Sequence, residues 1–255
     1  VFAGGVAIAG DKILAVGSEE KIDKFISDGT KVYEYKDKLI MPGFIDAHDH
    51  FLMAAIVSSD HLISEIENST SEQECLDMIK KFADSHPDEK RILGMGWFPA
   101  KWGDAPLPTK ESLDEIVPDR PTYMLCADAH TLWLNSLGLA DAGYTPDMKF
   151  PTGGVGINDS GEMNGLIFEP DALVIGWDKM FDFEKPVFKD IIAGFMDEIV
   201  KYGVTTVGEM SADDYNEVVR KRYGIYKEMD DNGELKCRIN SYMKLSGYTD
   251  FSSTK

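Results

Sequence analysis

The chain has 255 residues, of which 43% are hydrophobic and 28% are charged, a composition typical of a globular protein with a sizeable core. Its formal net charge is -19 and it has no basic cluster, so it repels phosphate backbones and anionic lipids. We therefore expect neither nucleic acid nor a membrane as a partner. Three widely spaced cysteines without a CxxC motif indicate reduced thiols, and they predict a cytoplasmic location.

The first 40 residues predict a small β-rich module. Two short apolar runs flank Gly10 and Asp11 within residues 6–17, which is the pattern of a β-hairpin with a tight turn. A short helix is expected over residues 19–26. We predict that residues 1–40 pack beside a larger domain and contribute no catalytic group.

After residue 40, short apolar strands alternate with helices, and this alternation predicts an α/β fold with βαβ units and a mostly parallel sheet. The predicted strands are residues 44–47, 91–97, 122–127, 204–210 and 235–243, with a hairpin over 153–169. The predicted helices follow Ser71 and Thr109, cover residues 131–140, run from Pro186 to Gly203, and cover residues 212–231. A closed barrel and an open sheet both fit. Four or five strand–helix units fall short of the eight in a (β/α)8 barrel, so we expect residues 41–255 to be the first part of a longer barrel.

The sharpest motif places two histidines at the end of an apolar strand. His48 and His50 are separated by Asp49, and side chains alternate in direction along a strand. The two imidazoles are therefore expected to point the same way and to bind one divalent ion, with zinc the first choice and iron, nickel or manganese after it. The alternative is a surface turn that carries two incidental histidines.

Several segments resemble the amidohydrolase superfamily, in particular the YtcJ-like branch called amidohydrolase family 3. PGFIDAHDH at residues 42–50 resembles the first barrel strand of these proteins, and VAIAGDKILAVG at residues 6–17 resembles their flanking β-sandwich. The later segments that resemble this branch are GMGWFPAKWGDAPLPTKESLDEIVPDRPTYML, CADAHTLWLNSLGL, GGVGINDSGEMNGLIFE and YGVTTVGEM. The sequence departs from the branch at Ala129, where glycine is usual, and in lacking a glycine after His50.

The resemblance implies a (β/α)8 barrel of the metal-dependent hydrolases with a small β-sandwich module and one or two divalent metal ions. It implies a metal-activated water that attacks the C–N bond of an amide, a formamide or a cyclic amide. The remaining ligands and the catalytic aspartate belong to later strands, so they are expected beyond residue 255. The partner would be a small-molecule substrate.

Asp128 and His130 flank Ala129 at the end of a predicted strand. The resemblance favours a place for both in the substrate pocket, in contact with the substrate or handling a proton. The alternative for Asp128 is to cap the helix predicted to follow. The neighbouring Asn135 is expected to have a structural role.

Two glutamates also end predicted strands. Glu169 and Glu209 are candidate metal ligands or acid–base groups, and the alternative is that both are surface carboxylates. Trp97 is a candidate for lining the pocket, although a buried aromatic side chain is more often part of a core.

The leading interpretation is thus a metal-dependent amidohydrolase. The alternatives are a heterocycle deaminase of the same superfamily and a non-catalytic binding domain that has kept the scaffold. The sequence leaves the natural substrate, the number of metal ions and homo-oligomer formation open.

Overall fold

The computed structural model describes residues 4–210 and 217–242, with the side chains of residues 217–222 left aside. The chain divides into two compact units, Val1–Gly43 and Phe44–Lys255. Parts of the predicted 212–231 helix and of the predicted 235–243 strand lie outside the described residues. Within the described residues, no helix combines the length and the apolar character needed to cross a bilayer.

The fold is α/β. The strands are β1 (Gly5–Ala9), β2 (Lys12–Gly17), β3 (Phe44–Asp49), β4 (Ile92–Trp97), β5 (Thr122–Cys126), β6 (Thr131–Leu134), β7 (Gly154–Ile157), β8 (Met163–Phe168), β9 (Val204–Glu209) and β10 (Arg238–Ser241). The α-helices are α1 (Glu19–Ile22), α2 (Phe51–Val57), α3 (Glu72–Ser85), α4 (Lys110–Ile116), α5 (Ser136–Ala142), α6 (Pro170–Met180), α7 (Lys185–Ile199) and α8 (Glu217–Asp231). Short 3-10 turns cover Asp23–Phe25, Glu65–Asn68, Pro99–Trp102 and Val200–Tyr202.

The first unit contains the predicted hairpin. Strands β1 and β2 are antiparallel, and Gly10 at the turn has a φ of 58°, a conformation that glycine adopts without a steric penalty. Helix α1 and the 3-10 turn after it lie where a short helix was predicted. The hairpin prediction is confirmed.

The second unit contains a small parallel sheet with the strand order β10-β9-β3. Strand β9 pairs in parallel with both neighbours, so the carboxyl ends of the three strands lie at the same edge. This edge carries His50 and Glu209, which follow or end their strands. The polypeptide between β3 and β9 forms a separate sheet.

That second sheet is mixed, with the order β4-β5-β6-β8-β7. Only β4 and β5 are parallel, whereas β6, β7 and β8 are joined by antiparallel pairing. The expectation of a mostly parallel sheet is therefore wrong for this part of the chain. The predicted helix over residues 131–140 is also wrong in its first half, because Thr131–Leu134 is a strand. A four-residue apolar run carries too little periodicity to separate a strand from a helix.

Other helix predictions are confirmed at their ends. Ser71 is the N-cap residue of α3, and its Oγ accepts a hydrogen bond from the Glu74 amide at 3.1 Å. The Glu74 carboxylate accepts from the Thr70 amide at 2.7 Å. The helical stretch that begins with α7 ends at Gly203, which has a left-handed φ of 83°. Helices α2 and α6 were not predicted.

The core of the second unit forms two hydrophobic clusters. The larger one joins helices α2, α6 and α7 to buried residues of β5, β6 and β8. The smaller one holds Trp97, Trp102 and Trp133, whose rings pack with centroid distances of 5.6–5.7 Å. The three cysteines are buried and free, as expected of reduced thiols.

Asn135 connects several elements by hydrogen bonds inside the core. Its side chain is fully buried and caps α5 by accepting from the Gly138 amide at 2.7 Å. The same Oδ1 accepts from the Thr122 amide at 3.0 Å, and Nδ2 donates to the carbonyls of Val117 at 3.0 Å and Arg120 at 2.8 Å. The structural role expected for Asn135 is confirmed.

We predict that Asn135→Ala lowers the free energy of unfolding by about 3 kcal/mol, because it leaves buried amides and carbonyls without partners. Asn68→Ala is the control, since Asn68 is exposed and donates one hydrogen bond of 3.3 Å. The control is expected to change stability by less than about 0.5 kcal/mol. Denaturant unfolding of the three proteins measures both changes, and equal stability of Asn135→Ala and wild type would contradict the assignment.

Candidate active site

The two histidines of the HxH motif lie side by side at the end of β3. The ring centroids of His48 and His50 are 5.6 Å apart, with an angle of 71° between the ring planes. Both side chains are exposed, and Asp49 between them is partly buried. The arrangement presents two imidazoles to the same region of solvent, and neutral imidazole is a common ligand of divalent metal ions.

Strand β3 is irregular where the first histidine lies. Asp46 pairs with Val207 and Asp49 with Glu209, so three steps along β3 match two steps along β9. This is a β-bulge, which redirects side chains relative to a regular strand. Gly208 makes it possible, because a Cβ there would lie 2.6 Å from the Ala47 carbonyl oxygen. The alternation of side chains along a regular strand therefore does not by itself explain why the two rings lie side by side.

The residues around the motif are acidic. The Asp46 carboxylate accepts a hydrogen bond from the His48 amide at 3.1 Å. Burial raises the pKa of Asp49, and the nearby Asp46 and Glu209 carboxylates raise it further. Burial also raises the pKa of Cys237, with a smaller contribution from Asp49. This negative surrounding favours a cation at the histidines.

The chemistry of the histidine pair fits a divalent metal ion. Two imidazoles provide nitrogen donors of the kind that zinc takes in mononuclear and binuclear sites. Among residues 4–210 and 217–242, no group of three or more His, Cys, Asp and Glu side chains is arranged to hold a metal ion. His48 and His50 would thus offer two nitrogen donors to such an ion, and the described residues do not complete a set of three.

Glu209 lies beside the histidine pair, on the neighbouring strand. Its side chain is only 2% exposed, so the alternative of a surface carboxylate is wrong. Its Oε2 accepts a hydrogen bond from the Leu52 amide at 2.9 Å and a longer one from the Tyr226 hydroxyl at 3.4 Å. The carboxylate is directed at the start of α2, immediately after His50.

A second group of predicted residues meets at one edge of the mixed sheet. His130 precedes β6 and Glu169 follows β8, and the antiparallel register pairs Thr131 with Phe168. The Glu169 amide donates to the His130 carbonyl at 2.9 Å, and His130 Nδ1 lies 3.1 Å from Glu169 Oε2. Both side chains are about half exposed. The structure thus brings together a histidine and a glutamate that are far apart in sequence.

The backbone beside this pair is strained. Among the described residues, Ala129 and Glu169 are the non-glycine residues with positive φ, at 59° and 66°. The ψ of Glu169 is 151°, which places it near a region that glycine almost alone adopts. Gly153 packs closely against the backbone just before Glu169, because a Cβ at Gly153 would lie 2.0 Å from the Phe168 carbonyl oxygen. Strain of this kind is often found at functional sites.

Asp128 organises the turn that carries His130. Its Oδ1 accepts a hydrogen bond from the His130 amide at 2.8 Å. The segment after it is strand β6, so the alternative of a helix cap is wrong. Burial raises the pKa of the neighbouring Cys126 thiol to about 11, which leaves it protonated at neutral pH and unsuited to act as a nucleophile.

Trp97 belongs to the core of the described structure. Its side chain is completely buried and its Nε1 donates to the Met124 carbonyl at 2.8 Å. No part of the ring is exposed to a substrate, so we assign it a packing role. The sequence showed that Trp97 ends an apolar strand, but it gave no sign that Trp102 and Trp133 pack against it.

Comparison with known proteins identifies the family. The sequence profile of the amidohydrolase family matches residues 31–254. Protein LONG AFTER FAR-RED 3 of Arabidopsis thaliana is 32% identical over 180 residues, covering 70% of this chain and 30% of that protein. The N-substituted formamide deformylase of Arthrobacter pascens is 24% identical over 237 residues, covering 91% and 42%. YtcJ of Bacillus subtilis (strain 168) is 29% identical over 159 residues, covering 62% and 30%. The chain belongs to the amidohydrolase family, and its relatives include YtcJ.

A solved structure shares the fold. A metal-dependent hydrolase from Pyrococcus horikoshii ot3 superimposes with a TM-score of 0.69 at 20% sequence identity, over 93% of this chain and 44% of that one. The chain therefore spans less than half the length of each of these proteins.

We predict that Glu169→Gly raises the free energy of unfolding by about 1 kcal/mol, because glycine relieves the strained backbone. The lost contact with His130 offsets little, since an ion pair this exposed contributes about 0–1 kcal/mol. Glu169→Ala is the matched control, because it removes the carboxylate and keeps a Cβ at the strained position. Thermal unfolding is expected to rank Gly above Ala, and the reverse order would show that the backbone is relaxed.

Proposed function

We propose that the protein is a metal-dependent hydrolase that cleaves a C–N bond in a small amide, formamide or cyclic amide. The observation that carries this proposal is the placement of His48 and His50 side by side at the carboxyl end of β3, in a chain of the amidohydrolase family. The relative from Arthrobacter pascens, an N-substituted formamide deformylase, supports this substrate class.

In this proposal His48 and His50 hold a divalent cation, most simply zinc, and the remaining ligands and the catalytic aspartate lie outside the described residues. The bound cation supplies Lewis acidity and lowers the pKa of water to about 7. The chain's own contribution is to place the two imidazoles at the end of β3, next to β9, and to surround them with negative charge. The parallel sheet would belong to a (β/α)8 barrel, with Val1–Gly43 in a β-sandwich module.

We further propose that His130 and Glu169 form part of the substrate pocket. Glu169 contacts the His130 ring through Nδ1, and in this proposal Nε2 would exchange a proton with the substrate. Asp128 holds the His130 backbone in the turn, so Asp128 and Glu169 restrain the backbone and the ring respectively. The buried and free cysteines support a reducing, cytoplasmic setting.

We predict that His48→Ala or His50→Ala in the intact protein removes most of the bound metal and nearly all hydrolytic activity, because each replacement deletes an imidazole donor. Asp49→Ala is the control from the same strand, and it is expected to keep most of the metal. Elemental analysis gives the metal stoichiometry, and circular dichroism confirms that the variants fold. Full metal occupancy in both histidine variants would refute the proposed function.

We predict that His130→Ala lowers kcat/KM by about 100-fold or more while the metal content stays unchanged, since general acid–base groups typically contribute factors of this size. His61→Ala is the matched control, because His61 also contacts a glutamate, with Nδ1 2.6 Å from Glu89 Oε1. The control is expected to keep its kinetics. Hydrolysis of a set of N-substituted formamides and cyclic amides provides the assay, and unchanged kcat/KM in His130→Ala would remove His130 from the pocket.

A further inference from the structure

We propose that Glu209 is a positioning residue for the histidine pair, and that its buried carboxylate fixes the backbone immediately after His50. This role rests on the proposed metal site. It differs from a ligand role, because Glu209 would act on the metal only by holding the polypeptide that carries His48 and His50.

The start of α2 depends on an acceptor from elsewhere in the chain. The first amides of a helix have no partner within the helix and need an acceptor. His50 stands at the position before α2, and its side chain makes no capping hydrogen bond. Glu209 instead provides the acceptor, with its Oε2 2.9 Å from the amide nitrogen of Leu52, 157 residues away in sequence.

The end of β9 and the residue after it hold the segment with the second histidine on both sides. On one side, the Met210 amide donates to the Asp49 carbonyl at 2.7 Å. On the other side, the Glu209 carboxylate accepts from the Leu52 amide. Glu209 at the end of β9 and Met210 directly after it thus hold residues 52 and 49, and His50 lies between the two attachments.

This second attachment compensates for the irregularity of β3. The bulge before Asp49 interrupts the ladder where the histidines lie, so regular strand pairing does not fix them. A buried hydrogen bond to a carboxylate is among the stronger ones available to a protein. Glu209 therefore restrains the turn from β3 into α2 at the point where the ladder is weakest.

The surroundings of Glu209 argue against a direct bond to the metal. Its side chain is 2% exposed, whereas both histidine side chains face solvent. Its Oε2 is already engaged by Leu52 and, at longer distance, by Tyr226. The two roles differ in what they predict for glutamine at this position. A positioning role needs only an oxygen that accepts the hydrogen bond, whereas a ligand role needs the carboxylate.

The test compares Glu209→Gln with Glu209→Met in the intact protein. The two side chains are similar in size and uncharged, but only glutamine keeps an oxygen that can accept from the Leu52 amide. Both variants remove the desolvation cost of a buried carboxylate, and circular dichroism checks that each of them folds. Thr206→Ala is the control for a buried polar change on the same strand.

Zinc dissociation constants are measured by competition with a chelator, and hydrogen exchange is followed over residues 50–54 in the metal-free proteins. We expect Glu209→Met to weaken zinc binding by about 10-fold or more and to speed exchange at Leu52. We expect Glu209→Gln and Thr206→Ala to stay within about threefold of wild type.

Equal losses of affinity in Glu209→Gln and Glu209→Met would show that the charge matters more than the hydrogen bond, and would overturn the positioning role. Unchanged affinity and exchange in Glu209→Met would overturn it as well. A wild-type protein that binds no zinc would refute the proposed function together with this role. If the wild-type protein binds zinc and neither Glu209 variant changes zinc affinity or hydrogen exchange, the positioning role alone is refuted.

Discussion

The parallel pairing of β3 with β9 determines where every candidate catalytic group of the small sheet lies. It joins segments of the chain that are about 157 residues apart, as the Leu52–Glu209 hydrogen bond shows. Closing so long a loop costs little more entropy than closing a shorter one, because the cost grows with the logarithm of loop length. The excursion is long enough to form its own mixed sheet and hydrophobic cluster, so β4 to β8 fold around themselves without adding strands to the small parallel sheet.

The sequence was informative where a pattern is local. The β1–β2 hairpin, the start of α3 at Ser71 and the end of α7 near Gly203 follow from turn residues and caps a few positions apart. The same holds for the HxH motif, which needs only one strand. The mixed sheet could not be predicted in this way, because β6 is four residues long and its partner β8 comes only after α5 and β7. The His130–Glu169 contact depends on that pairing and was therefore hidden as well.

Backbone strain links the mixed sheet to its proposed role. The branch that the sequence resembles usually has glycine at position 129, and Ala129 here keeps the left-handed φ that glycine would adopt freely. Glu169, which follows β8 and contacts the same histidine, also has a positive φ. One strained residue precedes His130 and the other is its glutamate partner, and surrounding structure, including the close packing of Gly153, holds both. Strain of this kind supports the proposed place of the pair in the substrate pocket.

The candidate metal site divides its tasks between exposed and buried residues. In the proposed site His48 and His50 would supply donors from exposed positions, and the buried Glu209 would act on the backbone that carries them. A strand with a bulge is a poor support for two ligands by itself, since its pairing is interrupted beside them. The support must then come from the neighbouring strand. On this proposal the motif in β3 supplies the donors, while β9 and the residue after it supply the rigidity that a metal site requires.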